Sequence, residues 1–358
     1  MTAQAPAVSI VLRYFTVGGL ERVVIALANA FAARGVDTRV IVLSTGKRNA
    51  LITELDAGVD VALLSGERQE KLAALRKLTH GRLVHIHFGD GHIHPLIRTA
   101  LVDRKVVITY HSVYRHKRTW LKNRLDQFWA SRATGIIAVS NAVKEFCAGD
   151  VRIPADRITV IPNGIESRVG PAIARPAGGP LTAISLASLY PHKNHGVLLD
   201  GLSIARQKGI DLRLRMLGDG PSMAAHYRRC LTLGLRPAVD WYGAVWRRDM
   251  VQPLLASSDL FVSGSRFEGL PLSVLEGMAH GLPMVLSDIP PHREVAGDAA
   301  LYFPPDDPAA LADRIHAITA SAERRAEMQE ASRRRVKTFD LDRCVEDHLA
   351  VYRQAAAR

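Results

Sequence analysis

Residues 8–43 read VSIVLRYFTVGGLERVVIALANAFAARGVDTRVIVL. The apolar run 8–15 predicts a β-strand, and the turn that follows it contains Gly18 and Gly19. Apolar residues then recur with helical spacing over 20–34, Gly35 ends that helix, and 36–43 predicts a second strand. A strand, a helix and a strand within about 35 residues form a βαβ unit, so this stretch predicts a parallel sheet.

The same alternation continues along the chain. Further strands are predicted at residues 82–88, 105–109, 135–139 and 158–161, and then at 181–189, 212–217, 239–242, 260–263 and 283–286. Residues 163–180 between these two series are rich in Gly and Pro, which is typical of a domain boundary. We therefore expect an α/β fold of two Rossmann-like, doubly wound parallel-sheet domains that face a cleft. The expected domains are residues 1–168 and 169–340, followed by a terminal helix within 341–358.

Composition excludes several classes of protein. With 358 residues, 47% hydrophobic and 23% charged, the chain is globular rather than disordered. It contains no run of 18 apolar residues and no basic leader before its first apolar stretch, so we expect neither a transmembrane helix nor a signal peptide. The cysteines Cys147, Cys230 and Cys344 are widely spaced and predict reduced thiols in the cytoplasm.

The net charge of +12 lies mainly in the first half, with +10 over residues 1–170. Such a surface suits an anionic partner, which could be nucleic acid, lipid or a phosphorylated substrate. Residues 114–132 contain six Lys or Arg and one acid, Asp126. This segment fits either a helix lying on an anionic membrane or a helix whose apolar side faces its own sheet, and the sequence leaves both open.

Residues 265–279, SRFEGLPLSVLEGMA, carry the most specific chemical pattern. They follow a predicted strand, and the segment 272–279 is helix-compatible after the turn at Pro271. The backbone N–H groups of Leu272 and Ser273 would be free at the helix start, an arrangement that binds phosphate. Glu268 and Glu276 bracket this point, and carboxylates can accept hydrogen bonds from sugar and ribose hydroxyls.

This Glu-x7-Glu segment resembles the signature of the retaining, nucleotide-sugar-dependent glycosyltransferases of family 4, which have the GT-B fold. Further segments, in the order of that family, are similar to its motifs. They are GGLER at 18–22, TYH at 109–111, IPNGI at 161–165, LGDGP at 217–221 and WYG at 241–243. The resemblance extends over nearly the whole chain, and it implies that the terminal helix returns to the N-terminal, acceptor-side domain.

The resemblance also implies the site residues. His111 and Glu268 are implied as the catalytic residues, which position the transferred sugar. The implied donor-binding residues are Gly18, Gly19, Ser188, Lys193, Asn194, Gly218, Tyr242, Val245, Gly269, Leu270, Pro271, Leu272, Ser273 and Glu276. Ser188 stands where the family commonly has an arginine, so a charge-assisted contact to the diphosphate is missing there.

The implied reaction moves a hexose from a nucleotide diphosphate-sugar, with retention, to a glycan, a lipid-linked acceptor or a small molecule. Cell-surface polysaccharide or glycolipid biosynthesis is the expected setting, in the cytoplasm or at the cytoplasmic face of the inner membrane, with peripheral contact to anionic lipid. Lys193 and the amides of Leu272 and Ser273 would stabilise the leaving diphosphate. The resemblance implies no metal and no cofactor beyond the donor, and no nucleic-acid partner.

Several alternatives remain open on the sequence. The histidine-rich segment 85–94 could hold a metal, but its spacing favours histidines that are hydrogen-bonded to the protein or to an acceptor. Residues 47–48, 85–94 and 114–118 are candidates for the acceptor lining. Other functions to be distinguished are an epimerase-like or phosphorylase GT-B enzyme, a non-catalytic sugar-nucleotide binder and a nucleic-acid binder.

Overall fold

The computed structural model describes residues 5–44, 50–88, 95–113, 119–166, 179–245 and 247–358. The chain forms two compact units, the first comprising Met1–Gly164 and Leu341–Arg358 and the second Ile165–Asp340. The break at 164–165 lies a few residues before the boundary expected from the sequence, after residue 168.

The described part of the first unit is built on a seven-stranded parallel sheet in the order β3-β2-β1-β4-β5-β6-β7. The strands are β1 Val8–Leu12, β2 Thr38–Val42, β3 Val59–Leu63, β4 Leu83–Phe88, β5 Val106–Tyr110, β6 Gly135–Ala138 and β7 Ile158–Val160. The helices are α1 Gly19–Ala33, α2 Arg68–Leu78, α3 Pro95–Ala100, α4 Trp120–Arg132 and α5 Asn141–Gly149.

The described part of the second unit has a six-stranded parallel sheet in the order β10-β9-β8-β11-β12-β13. The strands are β8 Leu181–Leu186, β9 Leu212–Leu217, β10 Val239–Gly243, β11 Leu260–Ser263, β12 Met284–Ser287 and β13 Ala300–Phe303. The helices are α6 His195–Gln207, α7 Met223–Thr232, α8 Arg248–Ala256, α9 Leu272–Ala279, α10 Pro290–Ala296, α11 Pro308–Thr319 and α12 Ala322–Val336. The terminal helix α13, Leu341–Ala357, belongs to the first unit.

Both sheets therefore have the doubly wound order, which confirms the predicted α/β class with two Rossmann-like domains. Their central strands are covered on both faces, and for that reason they read as continuous apolar runs in the sequence. All five residues of β1 and of β5 are buried. Strands β3 and β13 were not predicted, and both lie at an edge of their sheet.

Helix α13 completes the first unit by packing its apolar side into that unit's core. Tyr352 is fully buried, and its hydroxyl is 2.5 Å from Nδ1 of His85 on β4. Its ring lies 5.4 Å from that of Phe31 on α1. At the surface, Asp342 forms an ion pair with Arg34 at the end of α1. The last segment of the chain is thus part of the first unit's core.

Helix α4 is oriented differently from a helix whose apolar side covers its own sheet. Its buried residues are Asp126 and Ala130, whereas the side chains of Trp120, Leu121 and Phe128 are 76%, 59% and 51% exposed. Of the apolar side expected from the sequence, Leu121 and Phe128 face outward, while Leu125 and Trp129 are half-buried. Among the described helices, none has the length and apolar character needed to cross a membrane.

The loops that follow β8 and β9 touch through their backbones. The N–H of Ala187 donates to the carbonyl of Leu217 at 3.0 Å, and the N–H of Leu189 donates to that of Asp219 at 2.9 Å. Gly218, between them, has a φ of +143°. A Cβ at this position would lie 1.9 Å from the Ala187 carbonyl oxygen, so only glycine allows this approach.

We expect Gly218→Ala to destabilise the second unit by about 3 kcal/mol or more, because the backbone of the loop after β8 must move and the φ angle must change as well. Urea unfolding followed by circular dichroism measures the change. Gly209→Ala is the matched control, since Gly209 has a φ of +83° but nothing within 4 Å of the added Cβ. It should cost only about 1 kcal/mol. Equal losses in the two variants would show that the loops do not depend on this contact.

Candidate active site

The candidate site of the second unit lies where β8 and β11 run side by side. In a doubly wound sheet this is the switch point, where the connections leave toward opposite faces and ligands bind beyond the strand ends. Two loops begin there, residues 187–194 after β8 and residues 264–271 after β11. The first contains Ser188 and Lys193, and the second contains Glu268.

Lys193 and Glu268 form an ion pair at this point. Nζ of Lys193 lies 2.5 Å from Oε1 of Glu268, and the side chains are 18% and 11% exposed. The hydroxyl of Ser265 donates to the same carboxylate oxygen at 2.7 Å. Neither hydrogen bond uses Oε2. Ser265, which sequence reasoning did not single out, is therefore a supporting residue of the site. Its position three residues before Glu268, in the same loop, was the available signal.

The carboxylate of Glu268 is charged despite its burial. Burial by itself opposes ionisation, but the Lys193 ammonium and the hydrogen bonds from Lys193 and Ser265 outweigh it and hold the pKa of Glu268 below its usual value. His292, on α10, is fully buried and has Nδ1 2.8 Å from the carbonyl of Ser287. Its pKa is lowered chiefly by burial. A neutral imidazole thus lies near the ion pair, and no motif in the sequence indicated it.

Neighbouring contacts hold these loops in place. Arg266 donates to Oδ1 of Asp306 from Nε and Nη2 at 3.0 and 2.7 Å, and to the Pro191 carbonyl at 3.2 Å. Asn194 has a φ of +51°, and its side-chain amide donates to the carbonyl of Pro305 at 2.6 Å. The structure therefore directs the Asn194 amide to the loop after β13 rather than to Lys193 and Glu268.

Helix α9 begins directly after the Glu268 loop. Gly269, Leu270 and Pro271 are buried, and Pro271 is the N-cap residue. No side chain caps the helix. The first N–H groups of a helix have no intrahelical acceptor, and they point out of its N-terminus, which is the positive end of the helix dipole. The N–H groups of Leu272 and Ser273 are in this position. The predicted helix 272–279 has the observed bounds.

Glu276, one turn into α9, lines a different part of the second unit. It borders an open pocket of about 230 Å³. Its other lining residues are Ile165, Glu166, Arg248, Gln252, Ala279 and His280. The guanidinium of Arg248 lies 3.7 Å from the carboxylate of Glu166 in this pocket. The two acids of the Glu-x7-Glu pattern thus face distinct surroundings, one an ion pair and one a pocket.

The remaining donor-binding candidates of this unit lie at neighbouring strand ends. Ser188 is exposed in the loop after β8, and Tyr242 is 39% exposed near the end of β10. The N–H of Gly218 donates to the carbonyl of Gly243 at 2.8 Å, and the N–H of Val245 donates to it at 3.0 Å. The backbone therefore brings the loops after β8, β9 and β10 together.

In the first unit, the glycine turn lies after β1 at the start of α1. Gly18 is the N-cap residue and Gly19 the first helical residue. The buried carboxylate of Glu21 accepts hydrogen bonds from the N–H and hydroxyl of Thr16 at 3.2 and 2.9 Å. A Cβ on Gly18 would lie 2.6 Å from that carboxylate, so glycine leaves room for this bond.

His111 lies at the end of β5 against a buried histidine. Its Nε2 is 2.8 Å from Nδ1 of His87 on β4, and the rings are stacked with centroids 5.0 Å apart. The ring of His85 lies 4.1 Å from that of His87, and Nε2 of His85 is 2.7 Å from the Thr109 hydroxyl. On α13, His348 has Nδ1 2.8 Å from the Cys344 carbonyl, and its ring lies 5.8 Å from that of His85.

These four histidines are neutral in the folded protein. Burial lowers the pKa of His111 to about 3 and that of His348 to about 4. Burial also lowers the pKa of His85 and of His87 well below the usual value. Among the described residues, no group of three or more His, Cys, Asp or Glu is placed to hold a metal ion. Asp90, His92 and His94, like residues 47–48 and 114–118, lie outside the described residues.

Comparison with known proteins supplies the family. Residues 17–168 match the family model described as Glycosyltransferase Family 4, and residues 171–335 match the model Glycosyl transferases group 1. Together the two matches account for most of the chain. The chain belongs to the GT-B glycosyltransferases. The resemblance inferred from the sequence motifs is thereby confirmed.

Similar proteins include two curated glycosyltransferases and a solved structure with a bound nucleotide-sugar. The D-rhamnosyltransferase WbpZ of Pseudomonas aeruginosa is 28% identical over 83% of this chain and 81% of its own. The UDP-Gal:α-D-GlcNAc-diphosphoundecaprenol α-1,3-galactosyltransferase of Escherichia coli is 28% identical over 58% of each chain. The structure of Anabaena HepE in complex with UDP-glucose superposes with a TM-score of 0.81 at 18% identity, covering 96% of this chain and 98% of that one. The GT-B fold of this glycosyltransferase is thus shown.

We expect acid to destabilise the first unit through its buried histidines. The unfolded chain binds protons at them below about pH 6.5, whereas folded His348 binds one only near pH 4. Each such group therefore costs about 1.4 kcal/mol of stability per pH unit as the pH falls through that window. His348→Gln should reduce the pH dependence of the unfolding free energy by that amount, measured by urea unfolding between about pH 6 and 4.5. The exposed His316 on α11 provides the control, His316→Gln. An unchanged slope for His348→Gln would contradict a neutral His348.

Proposed function

We propose that this glycosyltransferase transfers a hexose from a nucleoside diphosphate-sugar with retention of anomeric configuration, without a metal ion. The acceptor is a glycan or a lipid-linked saccharide of cell-surface polysaccharide or glycolipid biosynthesis. The observation that carries this proposal is the Lys193–Glu268 pair beside the start of α9. A cation, two helix-start amides and an ionised carboxylate are the groups that a sugar diphosphate requires.

The leaving diphosphate is the group that needs charge stabilisation. In the proposed reaction, the bond between the sugar C1 and the β-phosphate oxygen breaks, and the bond between C1 and the acceptor oxygen forms on the same face. The acceptor proton passes to the leaving phosphate oxygen. Lys193 and the N–H groups of Leu272 and Ser273 bind the oxygens on which negative charge develops, and donors of this kind contribute about 3 kcal/mol each.

The sugar and the ribose are then assigned to different acids. Oε2 of Glu268, which neither Lys193 nor Ser265 uses, accepts hydrogen bonds from sugar hydroxyls. The carboxylate of Glu276 accepts those of the ribose at the edge of its pocket. Tyr242, Gly218 and Val245 lie toward the nucleobase, and His111 hydrogen-bonds the transferred sugar. Similar proteins support a nucleoside diphosphate-sugar as the donor, since Anabaena HepE was solved with UDP-glucose and the Escherichia coli relative is named for UDP-Gal.

Two substitutions separate donor binding from transfer. Glu268→Gln should lower transfer about 100-fold while the Kd for the matching nucleoside diphosphate changes less than about threefold, because the carboxylate acts on the sugar. Lys193→Met should instead weaken binding of the nucleoside diphosphate about tenfold or more, because it removes the charge on the diphosphate. Thermal-shift titration with UDP and GDP, and hydrolysis of UDP-glucose, UDP-galactose and GDP-mannose, are the measurements.

The control is Lys208→Met, which removes an ammonium paired with Asp313 at the surface of the same unit. It should leave both readouts unchanged. With the donor that reacts, ¹H NMR of the released sugar before mutarotation should show the donor's own anomer. An inverted anomer would contradict retention. Binding of a nucleoside diphosphate-sugar with no turnover in the wild-type protein, on any acceptor mixture, would instead indicate a non-catalytic binder.

We further propose that the exposed side of α4 contacts an anionic bilayer, which would bring a lipid-linked acceptor to the enzyme. Trp120, Arg124, Phe128 and Arg132 follow one another at intervals of four and so share one side of the helix. The guanidinium carbons of Arg124 and Arg132 lie 6.0 and 5.4 Å from the ring centroids of Trp120 and Phe128. The helix's acid, Asp126, is buried. Exposed aromatics flanked by arginines suit the interface of a membrane with negative headgroups.

The expected result is binding to phosphatidylglycerol vesicles and not to phosphatidylcholine vesicles, measured by co-sedimentation. Arg124→Gln with Arg132→Gln should weaken binding about 30-fold, since each basic residue near the surface contributes about 1 kcal/mol. Trp120→Ser with Phe128→Ser should also weaken it through lost apolar burial. Tyr227→Ser, at an exposed aromatic of α7, is the control. Binding that does not depend on lipid charge, or that survives both double substitutions, would contradict this contact.

A further inference from the structure

The contact between His87 and His111 requires a single shared proton. Nδ1 of His87 and Nε2 of His111 are 2.8 Å apart, which is a hydrogen-bond distance. A neutral imidazole has one N–H and one lone pair. One nitrogen of the pair therefore donates and the other accepts, and the choice fixes where each ring carries its proton. Burial favours the neutral form of both rings.

The other nitrogen of His87 decides between the two arrangements. His87 is 5% exposed, and its Nε2 is buried with no hydrogen-bond partner among the described residues. If Nδ1 of His87 accepted the shared proton, Nε2 would carry a buried N–H without an acceptor. If Nδ1 donates, Nε2 carries only a lone pair. Buried N–H groups without a partner are rarer in proteins than under-used acceptors.

We infer that His87 is a positioning residue that sets the tautomer of His111 by donating Nδ1–H to its Nε2. His111 then carries its proton on Nδ1 and offers its ligand a hydrogen-bond donor. The group it recognises is consequently an acceptor oxygen, such as a sugar hydroxyl or ring oxygen. This inference rests on the proposed function only where it names that ligand, because the tautomer itself follows from the contacts of His87.

The core around His87 keeps this arrangement in place. His85, whose ring lies 4.1 Å from that of His87, has both nitrogens within hydrogen-bond distance of hydroxyls, those of Tyr352 and Thr109. His85 therefore does not need a hydrogen bond from His87. Tyr352 comes from α13, so the terminal helix contributes to the surroundings that hold the His87–His111 pair.

The direct test is ¹⁵N NMR of the whole protein labelled at histidine, with the His111 signals assigned through His111→Gln. The inference expects Nε2 of His111 to show the shift of an unprotonated nitrogen, and Nδ1 that of a protonated one, at neutral pH. A protonated Nε2 in the wild-type protein would overturn it. This measurement needs neither a substrate nor a variant of His87.

Two substitutions of His87 add a functional readout. His87→Asn places an amide N–H₂ where Nδ1 was, so it should preserve the His111 tautomer. His87→Leu removes the donor. In the His87→Leu variant, His111 should show a mixture of both tautomers. The kcat/KM for the donor sugar should then fall about tenfold, as expected for one hydrogen bond to the substrate. Kd for the nucleoside diphosphate alone should not change, and His87→Asn should recover kcat/KM to within about threefold.

The outcomes separate the two proposals. If His87→Leu leaves the His111 tautomer unchanged, or if His87→Asn loses as much activity as His87→Leu while both remain folded, His87 does not set the tautomer. If His111→Gln has no effect on transfer although the wild-type tautomer is as expected, the role of His111 in the proposed function is wrong and the tautomer assignment stands.

Discussion

The ion pair between Lys193 and Glu268 is the interaction on which the second unit's site depends. A carboxyl group as buried as that of Glu268 would be neutral without a cation and hydrogen-bond donors against it. Lys193 and Ser265 provide them at a single oxygen. Lys193 belongs to the loop after β8, and Ser265 and Glu268 to the loop after β11. Glu268 is therefore ionised only because β8 and β11 are neighbours in the sheet. This pair of strands is also where the strand order reverses.

The first unit keeps its polar groups uncharged instead. His85 and His348 are buried beside the rings of Phe31 on α1 and Tyr352 on α13, where an imidazolium would have few partners. Hydroxyls, a carbonyl and a second imidazole accept or donate in place of charged groups. This arrangement explains why a histidine pair beside a strand end can hold a fixed proton at neutral pH. It also gives the terminal helix a chemical role, since Tyr352 hydrogen-bonds His85, whose ring packs against that of His87.

The parts of the fold and site that could be predicted from the sequence are those whose signals lie within a few consecutive residues. Buried strands such as β1, β5 and β11 were found because largely apolar runs mark strands covered on both faces. Strands β3 and β13, both at sheet edges, were missed for different reasons. Asp60 interrupts the run 59–63, and 300–303 is an apolar run of only four residues, which does not by itself distinguish a strand from a piece of helix. The start of α9 was predicted from its proline and glycine. By contrast, the approach of His292 to Glu268 and the pairing of His87 with His111 depend on contacts between neighbouring strands and their loops, and no spacing in the sequence encodes them.

Under the proposed function, the absence of an arginine at position 188 has a consequence for how the donor is recognised. Lys193 is already paired with Glu268, and Arg266 with Asp306. The Lys193 ammonium has three N–H groups and gives one to Glu268, so it can donate to the diphosphate without leaving the carboxylate. Glu268 therefore keeps its cation and its charge when a nucleoside diphosphate binds, and Oε2 stays available to the sugar hydroxyls. A single ammonium thus contacts the diphosphate and also keeps ionised the carboxylate that binds the sugar, so the two ends of the donor are recognised through the same lysine.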